Sequence, residues 1–168
     1  MTRSSDLTIK TAQIRSVTET DLRSLQKLHQ KLGENEKRFV PSTRAGFSFS
    51  EKVISYYRAR MDSSDGYIRM CFLKGRPVGF LIGTLDETVR SWAKLESIFV
   101  DEDARGIGLG KALFEDFVGW TESVSALRIT VAVAAANTDT WSIYLKLGFV
   151  EIERKGLSVI LELQKDAC

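Results

Sequence analysis

The chain has 168 residues, of which 43% are hydrophobic, enough to bury one sizeable core but too few for two independent ones. Lysine and arginine number 24 against 22 aspartates and glutamates, and this formal charge of +2 gives no reason to expect a nucleic-acid or membrane-surface partner. Two cysteines supply neither a disulfide framework nor a metal site, and without an apolar signal or spanning segment we expect one cytoplasmic domain over residues 1–168, with its core at about 12–163.

The first third of the chain predicts a strand followed by two helices. The strand covers residues 12–17, and Thr18 then caps a helix because the acid Asp21 follows three residues later. Gly33 is expected to end this helix, and Ser50 to cap the second one. One face of the first helix carries Leu22, Leu25, Leu28 and Leu32. The irregular stretch between the helices, residues 34–49, is the predicted mobile loop.

Strands dominate the middle of the chain. Residues 67–73 and 78–85 have the composition of strands and are separated by the turn sequence Lys-Gly-Arg-Pro at residues 74–77. A third strand is predicted over residues 93–100. Three consecutive strands with short connections predict an antiparallel meander.

The last third predicts helix, strand, helix and hairpin. Apolar residues first repeat at helical spacing, at Leu109, Ala112, Leu113, Phe117 and Trp120. A buried strand over residues 128–134 follows, so that a helix joins two parallel strands. The next helix covers about 138–147, with Gly148 as its C-cap, and strands at 149–153 and 158–163 form a hairpin turning at Lys155 and Gly156. The predicted class is a mixed α/β sheet with helices on its faces.

Glycines at positions 106, 108 and 110 lie where a strand passes into a helix. Free amides at a helix N-terminus favour an anion, and Arg105 and Lys111 add positive charge. The alternative is a turn that only allows close packing of the helix. A P-loop is excluded because three residues separate Gly106 from Gly110 and Ala112 replaces the hydroxyl residue. A dinucleotide fingerprint is excluded by the Gly-x-Gly-x-Gly spacing and by the preceding meander.

Two segments of the chain together resemble the GNAT superfamily of N-acetyltransferases. The first is LESIFVDEDARGIGLG at residues 95–110, and the second is Asn137 followed by YLKLGF at residues 144–149. Glu102 stands where that family frequently has proline, a small departure. The order of the predicted elements is also similar to the GNAT fold. The resemblance therefore implies a central, mostly antiparallel sheet of about six to seven strands, with one parallel pair between the fourth and fifth strands and helices on both faces.

The resemblance also implies that acetyl-CoA is the co-substrate and that no metal is needed. The sheet would open between its fourth and fifth strands, and the backbone at Ile98, Phe99 and Val100 would pair with the pantetheine arm. A backbone N–H near Val100 would polarise the thioester carbonyl. Asn137 would hold the arm from the other side. The pyrophosphate would bind to Arg105, Gly106, Ile107, Gly108, Leu109, Gly110 and Lys111.

An acceptor amine must lose a proton, and Glu96 is the candidate general base, acting through an ordered water. By strand alternation Glu96 is expected to share its face with Ile98. The alternative is a surface acid that pairs with Lys94 or Arg128. A second route found in some relatives, a glutamate on the fifth strand, is missing because that position is Ala132.

Tyr144 lies seven residues after Asn137, where the family's tyrosine gives a proton or hydrogen bond to the departing thiolate of CoA. The alternative is a core tyrosine whose hydroxyl is satisfied.

His29 is the only histidine and no Gly-x-Ser-x-Gly elbow is present, which argues against a hydrolase. We expect His29 at the edge of the first helix, with a role in acceptor binding left open. The basic residues of the second helix, including Arg58 and Arg60, are expected on a solvated surface.

Taken together, the sequence predicts an acetyl-CoA-dependent N-acetyltransferase. Its acceptor would be a primary amine of a small molecule or peptide, which attacks directly within a ternary complex. Two alternatives remain: an inactive acyl-CoA-binding sensor or scaffold, and an enzyme that acetylates protein N-termini or lysines. The resemblance allows a homodimer, but no motif selects an oligomeric state or names the acceptor.

Overall fold

A computed structural model describes residues 11–40 and 46–164 of the chain. Seven strands form a single sheet in the spatial order β1-β2-β3-β4-β5-β7-β6. The strands are β1 Ala12–Ser16, β2 Gly66–Leu73, β3 Arg76–Leu85, β4 Trp92–Val100, β5 Arg128–Ala134, β6 Val150–Lys155 and β7 Ser158–Gln164. The helices are α1 Leu22–Glu36, α2 Lys52–Asp62, α3 Leu109–Ser123 and α4 Thr138–Lys146. Short 3-10 turns lie at Glu19–Asp21, Phe47–Phe49 and Glu102–Ala104.

The topology confirms the predicted mixed sheet. Strands β1 to β4 form an antiparallel meander, β5, β7 and β6 are also antiparallel neighbours, and β4 and β5 make the one parallel pair in the described sheet. A parallel pair needs a long crossover, and α3 supplies it. The sheet therefore consists of two antiparallel parts joined along β4 and β5.

Two hydrophobic clusters pack against the sheet. One contains the buried leucines of α1 together with Val53 and Tyr57 of α2, and it reaches Phe80 and Phe99 of the sheet. The other contains the apolar residues of α3 together with the odd-numbered residues of β5 from Ile129 to Val133. Successive side chains of a strand point to opposite faces of the sheet, so neighbouring strand residues belong to different clusters. The helices thus cover both faces, as predicted.

The start of α1 follows the prediction, but its end does not. The Thr18 backbone N–H donates to Asp21 Oδ2 at 2.8 Å, as expected for the cap, and Arg15 also binds this carboxylate and lowers its pKa to about 2. Gly33, however, lies inside α1, because its carbonyl accepts a hydrogen bond from the Lys37 N–H at 3.1 Å. Gly33 is buried with a helical backbone, and the helix continues to Glu36.

Other boundaries shift by a few residues. The hydroxyl of Ser50 accepts from the Lys52 N–H at 3.0 Å, which supports its predicted capping role at α2. The terminal hairpin turns at residues 156–157, one residue later than predicted. Of the predicted mobile loop, residues 34–36 belong to α1, residues 47–49 form a 3-10 turn, and residues 41–45 lie outside the described part of the chain. Among the described helices, none is both long and apolar enough to cross a membrane.

Candidate functional site

The sheet opens between β4 and β5. Their parallel pairing runs from Trp92 and Arg128 to Leu95 and Val131 and ends there. Beyond that point β4 stays paired with β3 as far as Val100, while β5 stays paired with β7 as far as Ala134. The predicted separation of the fourth and fifth strands is confirmed, and it leaves one edge of β4 without a neighbouring strand.

Backbone amides of β4 point into this opening. The Asp101 N–H donates to the Val78 carbonyl at 2.7 Å, which makes Gly79 and Val100 a non-hydrogen-bonded antiparallel pair. In such a ladder the amides of alternate residues face away from the partner strand. The N–H groups of Ile98 and Val100 therefore face the opening, whereas Phe99 forms its backbone bonds with β3.

Arg105 closes the end of the open edge. Its Nε donates to the Val100 carbonyl at 2.8 Å, and its guanidinium carbon lies 5.5 Å from the centroid of the Phe99 ring. The side chain is thereby anchored to β4, while the rest of the exposed guanidinium remains available at the rim. Sequence reasoning predicted the positive charge but not the anchor.

The glycine turn has the conformation that an anion site requires. Gly106 and Gly108 have φ angles of +81° and +90°, in the left-handed region that favours glycine. The first hydrogen bond inside α3 runs from the Ala112 N–H to the Gly108 carbonyl at 3.0 Å. The N–H groups of residues 109–111 consequently have no carbonyl partner within the helix. These amides, with the positive end of the helix dipole, suit a phosphate or pyrophosphate.

Asn137 begins α4 at the carboxyl end of β5. Its side-chain Oδ1 accepts from the Thr140 N–H at 3.3 Å, which gives the asparagine a structural role as the helix cap. The side-chain amide has two N–H donors of its own, and capping uses neither of them. Asn137 can therefore cap α4 and still donate to a ligand in the opening.

Tyr144 is held by the C-terminal cap of α4. The Phe149 N–H donates to the Tyr144 carbonyl and the Gly148 N–H to the Leu145 carbonyl, the two bonds of a Schellman motif, with Gly148 at φ +96°. The motif brings the Phe149 ring edge-on to the Tyr144 ring, with centroids 5.2 Å apart. Tyr144 is 6% exposed, and burial, with the negative charge of Glu36, raises the pKa of its phenol. The phenol therefore stays protonated at neutral pH.

Glu96 lies on a β-bulge, and this changes its face. The register between β3 and β4 passes from Ile82–Ser97 to Gly83–Leu95, so Glu96 is the extra residue of β4. Its side chain points to α2, whereas Ile98 packs with the cluster of α3 on the other face. The prediction that Glu96 shares its face with Ile98 is wrong, because the bulge shifts the alternation by one residue.

The partners of Glu96 also differ from those predicted. Lys94 pairs with Asp86 at 2.7 Å and Arg128 with Glu162 at 3.5 Å, so neither is available to Glu96. Glu96 instead accepts hydrogen bonds from two side chains of α2. They are the Tyr56 hydroxyl, 2.9 Å from Oε2, and the Arg60 guanidinium, with Nε 2.9 Å from Oε2 and Nη2 2.8 Å from Oε1.

The prediction that Arg60 belongs to a solvated surface is therefore wrong. Its side chain is 23% exposed and is bound to the sheet, whereas Arg58 remains exposed. The sequence carried a signal for this contact: Tyr56 and Arg60 are four residues apart and share a helix face. Helical spacing alone could not show that this face meets a carboxylate on β4.

His29 is half-buried and packs against aromatic rings of α2 and the sheet. Its Nδ1 lies 2.8 Å from the Tyr57 hydroxyl, and the Phe80 ring centroid is 5.3 Å from the imidazole. Burial lowers the pKa of His29 to about 4. The imidazole is therefore neutral at physiological pH.

Comparison with known proteins gives one family and several related structures. A family model described as the acetyltransferase (GNAT) family matches residues 18–149. An uncharacterized N-acetyltransferase of Methanocaldococcus jannaschii is 27% identical over 151 residues. That alignment covers 86% of this chain but only 63% of the longer archaeal protein.

Solved structures share the fold along almost the whole chain. The PaiA N-acetyltransferase of Thermoplasma acidophilum, in complex with coenzyme A, superposes with a TM-score of 0.79 at 18% identity, covering 92% of this chain and 99% of that one. The ribosomal-protein-S18-alanine N-acetyltransferase of Escherichia coli superposes with a TM-score of 0.71 at 22% identity, covering 94% and 96% respectively.

Proposed function

This chain belongs to the acetyltransferase (GNAT) family, and on that premise we propose that it transfers an acetyl group from acetyl-CoA to a primary amine of a small molecule or peptide. The observation that carries the proposal is the open edge of β4, which has two outward-facing amides and ends beside an anion-binding turn. The coenzyme A bound by the Thermoplasma relative supports the same choice of donor.

The residues around the opening fit acetyl-CoA as the co-substrate. The amides of Ile98 and Val100 would pair with the pantetheine arm as an added strand would, and Asn137 would donate to the arm from the side of β5. The turn from Arg105 to Lys111 would bind the pyrophosphate. Bound acetyl-CoA would supply the acetyl group as a thioester, which an amine can attack.

The transfer requires two proton movements, which we assign to Glu96 and Tyr144. As the acceptor nitrogen bonds to the acetyl carbon, it must lose a proton, and Glu96 would receive it through a water. As the carbon–sulfur bond breaks, the Tyr144 phenol would give a proton or a hydrogen bond to the departing thiolate. A backbone N–H of β4 near Val100 would stabilise negative charge on the acetyl oxygen. Direct attack within a ternary complex would need no covalent enzyme intermediate.

A second candidate, an acyl-CoA-binding module without catalysis, is less well supported. Binding alone would need the open edge and the glycine turn but no phenol that acts on the departing thiolate. Tyr144 is held in place by the cap of α4 and keeps its hydroxyl, which a module that only binds acyl-CoA would be free to lose. The relative that acts on an alanine of a ribosomal protein keeps a peptide acceptor among the candidates.

Release of free thiol from acetyl-CoA, measured against a panel of amines, tests the proposal. The panel would contain small primary amines, polyamines, and peptides with a free N-terminus or an internal lysine. Calorimetry with CoA on the same preparation would report binding separately. Acceptor-dependent thiol release with acetylated product is the expected result, whereas binding without turnover on any acceptor would favour the sensor.

A further inference from the structure

We infer that Tyr56 and Arg60 of α2 are positioning residues that hold the Glu96 carboxylate and leave one oxygen, Oε1, to face the acceptor. The two side chains are called the Glu96 clamp below. This inference rests on the proposed function, because it assigns the clamp a part in deprotonating the acceptor amine.

Three hydrogen bonds define the clamp. Arg60 binds both oxygens of Glu96, at 2.8 and 2.9 Å, in the side-by-side geometry that a guanidinium and a carboxylate prefer. The Tyr56 hydroxyl adds a bond of 2.9 Å to Oε2. The Arg60 guanidinium also lies over the Tyr56 ring, 4.8 Å from its centroid. Each member of the clamp therefore restrains the other.

The count of lone pairs shows which oxygen remains available. A carboxylate oxygen can accept about two hydrogen bonds. Oε2 accepts two, from Tyr56 and from Arg60 Nε, and is saturated. Oε1 accepts one in the described structure, from Arg60 Nη2, and can take one more. That remaining position suits a water or an amine proton.

The bulge explains why β4 alone does not suffice to fix this carboxylate. An extra residue in a strand is not locked by ladder bonds on both sides, so its side chain needs support from elsewhere. The Glu96 and Arg60 side chains are 25% and 23% exposed, which makes their pairing stronger than that of a fully solvated pair. The clamp also ties α2 to the strand that borders the opening.

A matched control lies on the same helix. Arg58 binds both oxygens of Glu19 at 2.9 and 3.0 Å, with the same bidentate geometry but with side chains that are 52% and 62% exposed. Arg58→Met thus removes a similar ion pair from α2 without touching Glu96. We expect it to leave both activity and acetyl-CoA affinity unchanged.

The test is a double-mutant cycle on kcat with the best acceptor from the amine panel. Glu96→Gln is expected to lower kcat by about 100-fold, the usual worth of a general base. Arg60→Met in the wild-type chain should lower kcat by about tenfold or more through misplacement of Glu96, with the KM for acetyl-CoA within about twofold. In the Glu96→Gln background, Arg60→Met should change kcat by less than about twofold, because its only effect runs through the carboxylate.

Two conservative variants separate positioning from general stability. Arg60→Lys keeps one donor and should restore part of the lost kcat, and Tyr56→Phe removes only the bond to Oε2. If Arg60→Met does not fold, as judged by its thermal transition and its CoA binding, Tyr56→Phe completes the same cycle with Glu96→Gln. A loss of kcat that follows the loss of Tm, with no rescue by lysine, would contradict a positioning role.

Two results would contradict the positioning role of the clamp. One is that Arg60→Met lowers kcat equally with and without the Glu96 carboxylate. The other is that the Arg60→Met chain is as active as wild type. In both cases the wild-type chain still transfers acetyl groups, and the proposed function stands. Absence of turnover by the wild-type chain on every acceptor instead contradicts the proposed function itself.

Discussion

At the scale of single residues, Tyr144 combines a packing role in the core with its proposed role toward the departing thiolate. The Schellman cap of α4 places Phe149 against its ring, so the tyrosine is a core residue by every measure of burial. That same burial, with the charge of Glu36, raises the pKa of the phenol and keeps the proton in place. The raised pKa keeps the hydroxyl as a donor but makes it a weaker acid, so burial suits a hydrogen bond to the departing thiolate better than a full proton transfer.

Removal of the Tyr144 hydroxyl should separate turnover from binding. Tyr144→Phe keeps the ring that packs on Phe149, so the fold and the acetyl-CoA dissociation constant should change little. We expect kcat to fall by about 100-fold or more, the range for loss of a general acid. Steady-state kinetics with calorimetry would measure both quantities. Unchanged turnover in Tyr144→Phe would remove the phenol from the mechanism.

The lowered pKa of His29 should make the stability of the chain depend on pH. Burial lowers its pKa to about 4 in the folded chain, against an ordinary value of 6.5, so the unfolded chain binds a proton first as the pH falls. The free energy of unfolding should therefore decrease between pH 6.5 and about 4, by about 3 kcal/mol in all. Urea denaturation at several pH values would measure this loss.

The single histidine makes a clean control possible. His29→Gln leaves no imidazole in the chain, so the loss of stability between pH 6.5 and about 4 should largely disappear. The low pKa of Asp21, about 2, affects stability only at more acidic pH, where the carboxylate of the folded chain becomes protonated. If the wild-type chain and His29→Gln lose equal stability above pH 4, the assignment to His29 is wrong.

At the scale of elements, the turn before α3 is the proposed anion site. Gly106 has a φ of +81°, and a Cβ built there would contact nothing within 4 Å. The glycine at 75, in the turn between β2 and β3, has a φ of +77° and equally open surroundings. The two glycines thus offer a comparison in which backbone strain is matched and only the location differs.

Alanine at either glycine should cost about 1 kcal/mol of stability, because both positions adopt the left-handed conformation. Gly106→Ala alone should also weaken CoA binding by about tenfold, since the strained backbone turns its amides away from the phosphates. Thermal unfolding and calorimetry on both variants would measure the two effects. Equal CoA affinity in Gly106→Ala and Gly75→Ala would contradict a role for this turn in binding.

The elements also show where sequence reasoning reaches its limit. Apolar periodicity predicted the four helices and seven strands of the described part of the chain with small errors, because burial on one face imposes that period. It misjudged Gly33, since glycine ends a helix only when the backbone becomes left-handed. It also missed the bulge at Glu96, because an extra residue in a strand leaves no mark in the alternation until the partner strand is known.

At the scale of the whole molecule, one feature of topology creates the site. A single parallel pair joins two antiparallel half-sheets, and their separation beyond Leu95 and Val131 exposes the edge of β4. The carboxyl ends of β4 and β5 lie at the same end of the sheet, so the glycine turn and Asn137 border one opening. Lys31 of α1 reaches the same end, where it binds Asp101 at 2.7 Å.

The local motifs beside this opening could be predicted from the sequence, but the contact between α2 and β4 could not. The glycine turn, Asn137 and Tyr144 lie in short local motifs, and local motifs keep their spacing whatever the rest of the chain does. The contact of Arg60 with Glu96 joins residues 36 positions apart on a helix and a strand. Contacts of that kind depend on how α2 packs on the sheet, which composition and periodicity do not encode.

The most direct test of the central claim follows the backbone amides of this 18.9 kDa chain by NMR while acetyl-CoA is added. We expect shifted and exchange-protected amides at Ile98, Val100 and residues 106–111, with the amides of β1 at the far edge of the sheet unchanged. Acetyl-CoA that binds but leaves Ile98, Val100 and the glycine turn unperturbed would contradict the central claim.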